Sequence, residues 1–243
     1  MNVLCVIPAR YASTRLPGKP LKDIAGKPMV CRVYERASQA SKVSKTIVAT
    51  DDERILQAVR VHGGEAMMTR KDHPTGTDRL AETAASFPEA DLIVNVQGDE
   101  PLIDPALIDR LVSVFETDPE LCMATVKTQI LDEAEKMNPN NVKVVTDRHG
   151  YALYFSRSLL PYPRNEGCPV YKHIGIYAYR RNFLLQYAKM DTTPLEAAES
   201  LEQLRALEHG YRIKVVETKS AFVGVDTAED LAKVNAIYKK MNG

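Results

Sequence analysis

Val3-Leu4-Cys5-Val6-Ile7-Pro8 is the stretch on which the fold turns. It is an unbroken β-prone run, apolar at odd and even positions alike, and Pro8 stops it. A strand with two apolar faces belongs at the centre of a parallel sheet covered on both sides.

The chain on either side of this run repeats the theme. From Pro8 to Pro20 it becomes a loop rich in Arg, Ser, Thr, Gly and Pro. Pro28 then suits the first turn of a helix whose inner face is Met29, Val30, Val33, Tyr34 and Ala37. Thr46 to Thr50 reads as the next strand, and Asp51 or Asp52 caps a helix carrying Ile55, Leu56 and Val59. Gly63-Gly64 ends that helix, and Glu65 to Thr69 fits a short third strand. Thr75-Gly76-Thr77-Asp78 opens a helix with Leu80 and Ala84 inside, and Asp91 to Val96 is another buried strand. Strand and helix alternating in this way predict a doubly wound, mostly parallel α/β sheet of the Rossmann-like type.

After Leu121 the pattern changes. Met123–Ile130, Val142–Thr146, Tyr151–Phe155 and Ile174–Tyr179 read as strands separated by turn signals, an antiparallel meander that extends or caps the first sheet. The proline-rich stretch from Leu160 to Tyr171 is a loop. One long helix is expected after Pro194, with Leu195, Leu201, Leu204 and Leu207 inward, then a strand at Ile213–Glu217 and a last helix.

The 243 residues suit a single large domain, and Lys plus Arg (32) balance Asp plus Glu (32). That balance points to neither nucleic acid nor a membrane surface as partner, so an anionic ligand must be caught by a local cluster of cations. No apolar run reaches the roughly 20 residues a membrane span needs, and the N-terminus lacks the basic segment of a secretory signal. Cys5, Cys31, Cys122 and Cys168 form no C-x-x-C pair, which fits reduced thiols in the cytoplasm.

Ligands of parallel α/β sheets bind beyond the carboxyl ends of the strands, and three segments fall there. The first, Pro8 to Leu21, places Arg10, Arg15 and Lys19 within one arc, with the hydroxyls of Ser13 and Thr14 and the flexible Gly18 between them. Fixed positive charges with free N–H donors are what a triphosphate requires. The spacing matches neither a Walker A loop nor G-x-G-x-x-G, which argues against a dinucleotide oxidoreductase. The second, Gln97-Gly98-Asp99-Glu100-Pro101, ends an apolar strand in carboxylates. Asp99 there suits Mg2+, while turn chemistry alone would also account for Asp and Gly. Gly98 is expected to leave room for a ligand. The third, Thr75-Gly76-Thr77, offers N–H and hydroxyl groups to a phosphate or a base edge, or is simply a helix cap. Near the C-terminus, Asp226 with Glu229 resembles an N-cap and its partner.

The loop Ile7 to Leu21 closely resembles the 3-deoxy-manno-octulosonate (Kdo) cytidylyltransferase, or CMP-Kdo synthetase, family. So do Val94–Pro101, Tyr151–Arg157, His173–Tyr177, Leu201–Arg205 and Gly224–Thr227, in the expected order and across essentially the whole chain. The resemblance implies transfer of CMP from CTP to the anomeric hydroxyl of Kdo for lipopolysaccharide synthesis, by a cytoplasmic Mg2+-dependent homodimer. It implies that Arg10, Ser13, Arg15 and Lys19 hold the triphosphate, and that Thr75, Gly76 and Gln97 contact the nucleotide. Asp99 and Asp226 would bind Mg2+, which lifts Asp226 above the cap reading. Arg157, His173, Glu202 and Gln203 would hold the sugar acid. Residues 1–120 would then form mainly the CTP-binding half, and residues 121–243 mainly the sugar-binding and dimerisation half.

Two rivals stay open. One is a cytidylyltransferase for 8-amino-Kdo or another sugar acid. The other is a non-catalytic nucleotide-binding regulator on the same fold, against which the retained Arg10, Lys19, Asp99 and Asp226 argue.

Overall fold

The computed structural model describes residues 1–12, 16–165, 167–220 and 222–241. Strand β1 (Val3–Ala9) is flanked by two parallel neighbours, β4 (Lys45–Thr50) and β6 (Leu92–Asn95), and β5 (Ala66–Met68) extends the row beyond β4. Between β1 and β4 lie a 3-10 turn at Lys19–Leu21, a small hairpin of β2 (Asp23–Ile24) with β3 (Lys27–Pro28), and helix α1 (Met29–Ala37). Helices α2 (Glu53–Val61) and α3 (Gly76–Ala85) follow β4 and β5, and α4 (Pro105–Thr117) follows β6.

The alternating side chains of β1 serve two different cores, as its doubly apolar sequence requires. Val3, Cys5, Ile7 and Ala9 pack with α1, α2 and α4, whereas Leu4 and Val6 join Leu80 and Ala84 of α3 on the opposite face. Asp52, not Asp51, caps α2 by accepting from the Arg54 N–H at 3.0 Å. Asp51 instead accepts from the buried Arg79 at 2.9 Å.

The second half holds β7 (Met123–Gln129), α5 (Glu133–Met137), β8 (Lys143–Thr146), β9 (Ala152–Ser156), β10 (Tyr171–Arg180), α6 (Arg181–Tyr187), α7 (Pro194–Glu199), α8 (Gln203–Glu208), β11 (Ile213–Thr218) and α9 (Ala228–Met241). Together the strands make one nine-stranded sheet in the order β11-β7-β10-β6-β1-β4-β5, with β8 and β9 attached at its side. The expected meander is therefore only partly realised. β8 and β9 do form an antiparallel hairpin, but β10 runs antiparallel between β6 and β7, and β7 pairs in parallel with β11.

The direction of β10 matters for function. Tyr177 lies opposite Asn95, the last residue of β6, so Tyr171 to Ile176 run on past the carboxyl end of β6 while staying paired with β7. An antiparallel strand delivers its beginning to the edge where parallel strands deliver their ends.

The single helix expected after Pro194 is two short ones. Ser200 adopts φ 50° between α7 and α8, Leu195 is left 42 % exposed, and Leu201 and Leu204 are buried. The bend turns Glu202 and Gln203 into the start of a new helix.

Helix α9 folds back onto the beginning of the chain. Val225, Val234 and Tyr238 cluster with Ile24 and Met29, Tyr238 donates to the Pro101 carbonyl at 2.5 Å, and Asn235 bonds to Ala25 and Asp23.

Candidate active site

The carboxyl ends of β1 and β6 form the floor of the site. Gly98 permits their contact: a Cβ there would stand 2.8 Å from the Pro8 carbonyl oxygen. The expected room for a ligand at Gly98 is thus filled by the protein's own backbone, and the turn after β6 is pressed against the end of β1. The Glu100 N–H closes that turn on the Gln97 carbonyl at 3.2 Å.

Arg10, immediately after β1, donates from Nη2 to the carbonyls of His73 (3.1 Å) and Thr75 (3.0 Å), tying the basic loop to the loop before α3. Ser13 and Arg15 lie outside the described residues. Gly18 has φ 65°, the left-handed region, and its α-carbon lies against Tyr11, whose hydroxyl would be 3.1 Å from an added Cβ. The Arg54 guanidinium also stacks on Tyr11, 3.4 Å from the ring centroid. This stack braces the return of the loop into Lys19.

Lys19 Nζ donates to Asp99 Oδ2 at 2.6 Å and to Asp226 Oδ1 at 2.9 Å, partners 80 and 207 positions away in the chain. The Val225 N–H donates to the Asp99 carbonyl at 2.9 Å, which fixes the two acidic segments side by side. Asp226 is not the helix cap. Thr227 and Asp230 form that reciprocal pair, Asp230 N–H to Thr227 Oγ1 at 3.2 Å and Thr227 N–H to Asp230 Oδ2 at 3.0 Å. The Asp226 carboxylate is directed to Lys19 instead.

Burial by itself would lower the Lys19 ammonium, but the paired carboxylates outweigh it and hold its pKa above the ordinary value. Glu100 is the third carboxylate here, lying under Gly224. Burial, aided by the neighbouring Asp99 charge, pushes it up to about 8. Among the described residues no group of three or more His, Cys, Asp or Glu converges as a complete metal cage. Asp99 and Asp226 still fit a hard divalent ion, because two oxygen donors reach one point already occupied by positive charge. The remaining ligands of a Mg2+ there must come from phosphate and water.

A second cluster stands across the Thr75–Asp78 turn. Thr75 and Asp78 form a capping box, so Thr75 does cap α3, and an added Cβ on Gly76 would meet nothing within 4 Å. Thr77 Oγ1 donates to Glu202 at 2.9 Å, and Thr75 Oγ1 lies 3.5 Å from the same carboxylate. Burial raises the Glu202 pKa, which Thr77 and Arg205 only partly offset. Arg205 pairs with Glu196 at 2.5 and 2.8 Å, and Tyr187 Oη donates to the Glu202 carbonyl at 2.6 Å. Gln203 is 5 % exposed, and its Nε2 has no hydrogen-bond acceptor among the described residues.

Gln97, two residues before Asp99, ties the end of β6 to β10, donating from Nε2 to the Gly175 carbonyl at 3.0 Å. On the same projecting part of β10, His173 Nε2 is 2.9 Å from Thr125 Oγ1, and its ring meets Phe155 edge-on and Tyr177 at a tilt. Burial among these groups drops its pKa to about 3, so the imidazole is neutral at physiological pH. Arg157 is engaged by backbone carbonyls, donating to Glu199 at 2.7 Å, Pro139 at 3.2 Å and Ser200 at 3.3 Å. Two of its five N–H groups remain.

Reading by motif missed Arg205 and Glu196. Their signal was present: Arg205 stands four residues after Leu201 and next to Leu204, on the apolar face of a helix, where a lone arginine needs a buried partner.

A family profile described as cytidylyltransferase matches residues 4–214. The 3-deoxy-manno-octulosonate cytidylyltransferase of Geobacter sulfurreducens is 56 % identical, over 96 % of this chain and 98 % of its own length. A solved CMP:2-keto-3-deoxy-manno-octonic acid synthetase complexed with CTP is 49 % identical with a TM-score of 0.95, covering 99 % of this chain and all of that one. The 4-diphosphocytidyl-2C-methyl-D-erythritol synthase of Anaerococcus prevotii shares the fold at 14 % identity, with a TM-score of 0.65 over 98 % of this chain and 96 % of its own. By sequence match and by structure, this chain belongs to the cytidylyltransferase family, among the 3-deoxy-manno-octulosonate cytidylyltransferases.

Proposed function

We propose that this chain transfers CMP from CTP to the anomeric hydroxyl of Kdo, releasing pyrophosphate and supplying the activated sugar for lipopolysaccharide synthesis. The observation that carries the reading is the convergence of Asp99 and Asp226 on Lys19, beside the Arg10 loop. It occurs in a chain whose relatives bear the name of this reaction.

Both reactants are anionic, so the site must suppress repulsion before bonds change. Arg10 and Lys19, with Ser13 and Arg15 of the same loop, hold the triphosphate, and Lys19 and the arginines stabilise charge growing on the departing pyrophosphate. Gln97, Thr75 and Gly76 contact the nucleotide, and the open space beside Gly76 supports its role. Asp99 and Asp226 would hold Mg2+, which when bound neutralises phosphate charge and acidifies a hydroxyl.

Glu202 and Gln203, whose Nε2 has no acceptor among the described residues, face the acceptor's hydroxyls, joined by His173 as a neutral hydrogen-bonding group. The two remaining N–H groups of Arg157 suit the acceptor's carboxylate. Residues 1–120 thus supply most CTP contacts and residues 121–243 most acceptor contacts, with Asp226 crossing over.

The same reading makes the protein a cytoplasmic homodimer. Large apolar side chains exposed in the second half, Leu131, Met137, Leu153 and Tyr162, support self-association there. No helix among the described residues is long and apolar enough to cross a membrane.

The test is pyrophosphate release with CTP, Mg2+ and a panel of Kdo, 8-amino-Kdo, N-acetylneuraminate and methylerythritol phosphate. Turnover with Kdo above all others is expected. Preference for another acceptor moves the pathway, and tight CTP binding without release from any acceptor overturns the enzymatic reading.

A further inference from the structure

We infer that Lys19 is a resident counter-ion: without nucleotide its ammonium occupies the position between Asp99 and Asp226 that a divalent cation takes once CTP is bound. The inference rests on the proposal that these carboxylates are the metal ligands.

The geometry sets up a competition. One ammonium donates to both carboxylates, at 2.6 and 2.9 Å, with the lysine side chain only 14 % exposed. A divalent ion arriving alone must break two charge-assisted hydrogen bonds and displace a cation, gaining two protein oxygens in return for lost water. Triphosphate changes both sides of the exchange. It gives the ammonium new anionic oxygens and gives the metal the ligands that the protein pair lacks.

Lys19 is placed for the exchange. It begins the short 3-10 turn after Gly18, in the same loop as Arg10, so its long side chain springs from the segment proposed to hold the triphosphate. The consequence is reciprocal coupling: nucleotide raises the affinity for metal, and metal raises the affinity for nucleotide. The bare enzyme resists loading with metal, and the two enter together.

The experiment measures Mn2+ binding to the full chain without nucleotide, by loss of the free-ion electron paramagnetic resonance signal. Wild-type protein and Lys19→Arg, which keeps a cation in place, should bind weakly. Lys19→Met and Lys19→Gln should bind at least about tenfold tighter, because two carboxylates are left without their ammonium. Thermal melting confirms that each variant is folded. Adding Asp99→Asn to Lys19→Met should abolish the gain. Equal Mn2+ affinity in wild type and in both neutral variants overturns the inference while leaving the metal pair intact. A gain that survives Asp99→Asn and Asp226→Asn places the metal elsewhere and overturns the reading beneath it.

Discussion

Thr77 donates a 2.9 Å hydrogen bond to Glu202, joining the first turn of α3 to the bend between α7 and α8. The contact connects the segment proposed to meet the nucleotide with the residue proposed to meet the acceptor. Glu202→Ala should therefore raise the KM for Kdo by about 10- to 100-fold, the worth of a hydrogen bond to a charged group. The Kd for CTP, measured by calorimetry, should stay within about threefold. Loss of CTP affinity instead would move Glu202 to the nucleotide side.

Arg205 and Glu196 form a pair with both side chains nearly sealed from solvent. Removing one partner leaves the other charge buried, so Arg205→Met or Glu196→Gln should each cost about 3–5 kcal/mol. In a chain of this size that lowers Tm by roughly 10 °C. Denaturant titration of the two single variants and of the double variant checks this. The double variant should lose less than the sum of the singles, since neither Arg205 nor Glu196 is left charged without the other.

Asp99→Asn keeps the shape of the side chain and removes the charge. Turnover should fall at least about a hundredfold if the residue holds the metal that serves the reaction. The far-UV circular dichroism spectrum should be unchanged. A variant retaining near-wild-type kcat at saturating Mg2+ would remove Asp99 from the chemistry.

Gly18→Ala puts a side chain on backbone at φ 65°, against the Tyr11 ring. The left-handed conformation alone costs about 1–2 kcal/mol. The lasting effect is expected in CTP affinity, because relief of the strain displaces Lys19 and the loop that it begins. Titration of CTP into the variant, with its melting curve alongside, separates the two effects.

His173 links pH to stability. Its pKa falls from about 6.5 to about 3 on folding. Between these values the unfolded chain binds the proton and the folded chain does not, so stability is present in full above pH 6.5 and is lost as pH falls towards 3. Each pH step below 6.5 removes up to about 1.4 kcal/mol through this residue. His173→Gln should flatten that part of the pH–stability curve. A neutral imidazole also predicts no inflection in kcat near pH 6.5 traceable to His173.

Much of this was legible in order along the chain. The two-faced run Val3–Ile7, the basic arc after it and the carboxylate ending of β6 follow from hydrophobic pattern and charge, which are local properties. Pattern misjudged Gly98, because a missing side chain looks the same whether it admits a ligand or a carbonyl. Taken alone it also read Asp226 with Glu229 as the cap, the same three-residue spacing as the Thr227–Asp230 pair that forms it. The break at Ser200 escaped notice because the leucine spacing continues across it.

The sequence by itself determined a mostly parallel α/β sheet and the kinds of group at its carboxyl edge. Tertiary structure alone decided that β10 runs antiparallel through the middle, carrying His173 and Gly175 to that same edge. It alone brought Asp226 from the far end of the chain to Asp99 and Lys19. Secondary-structure pattern arises between neighbours a few positions apart, whereas these placements arise from burial of α9 on the β2–α1 region and from strand pairing across the whole sheet.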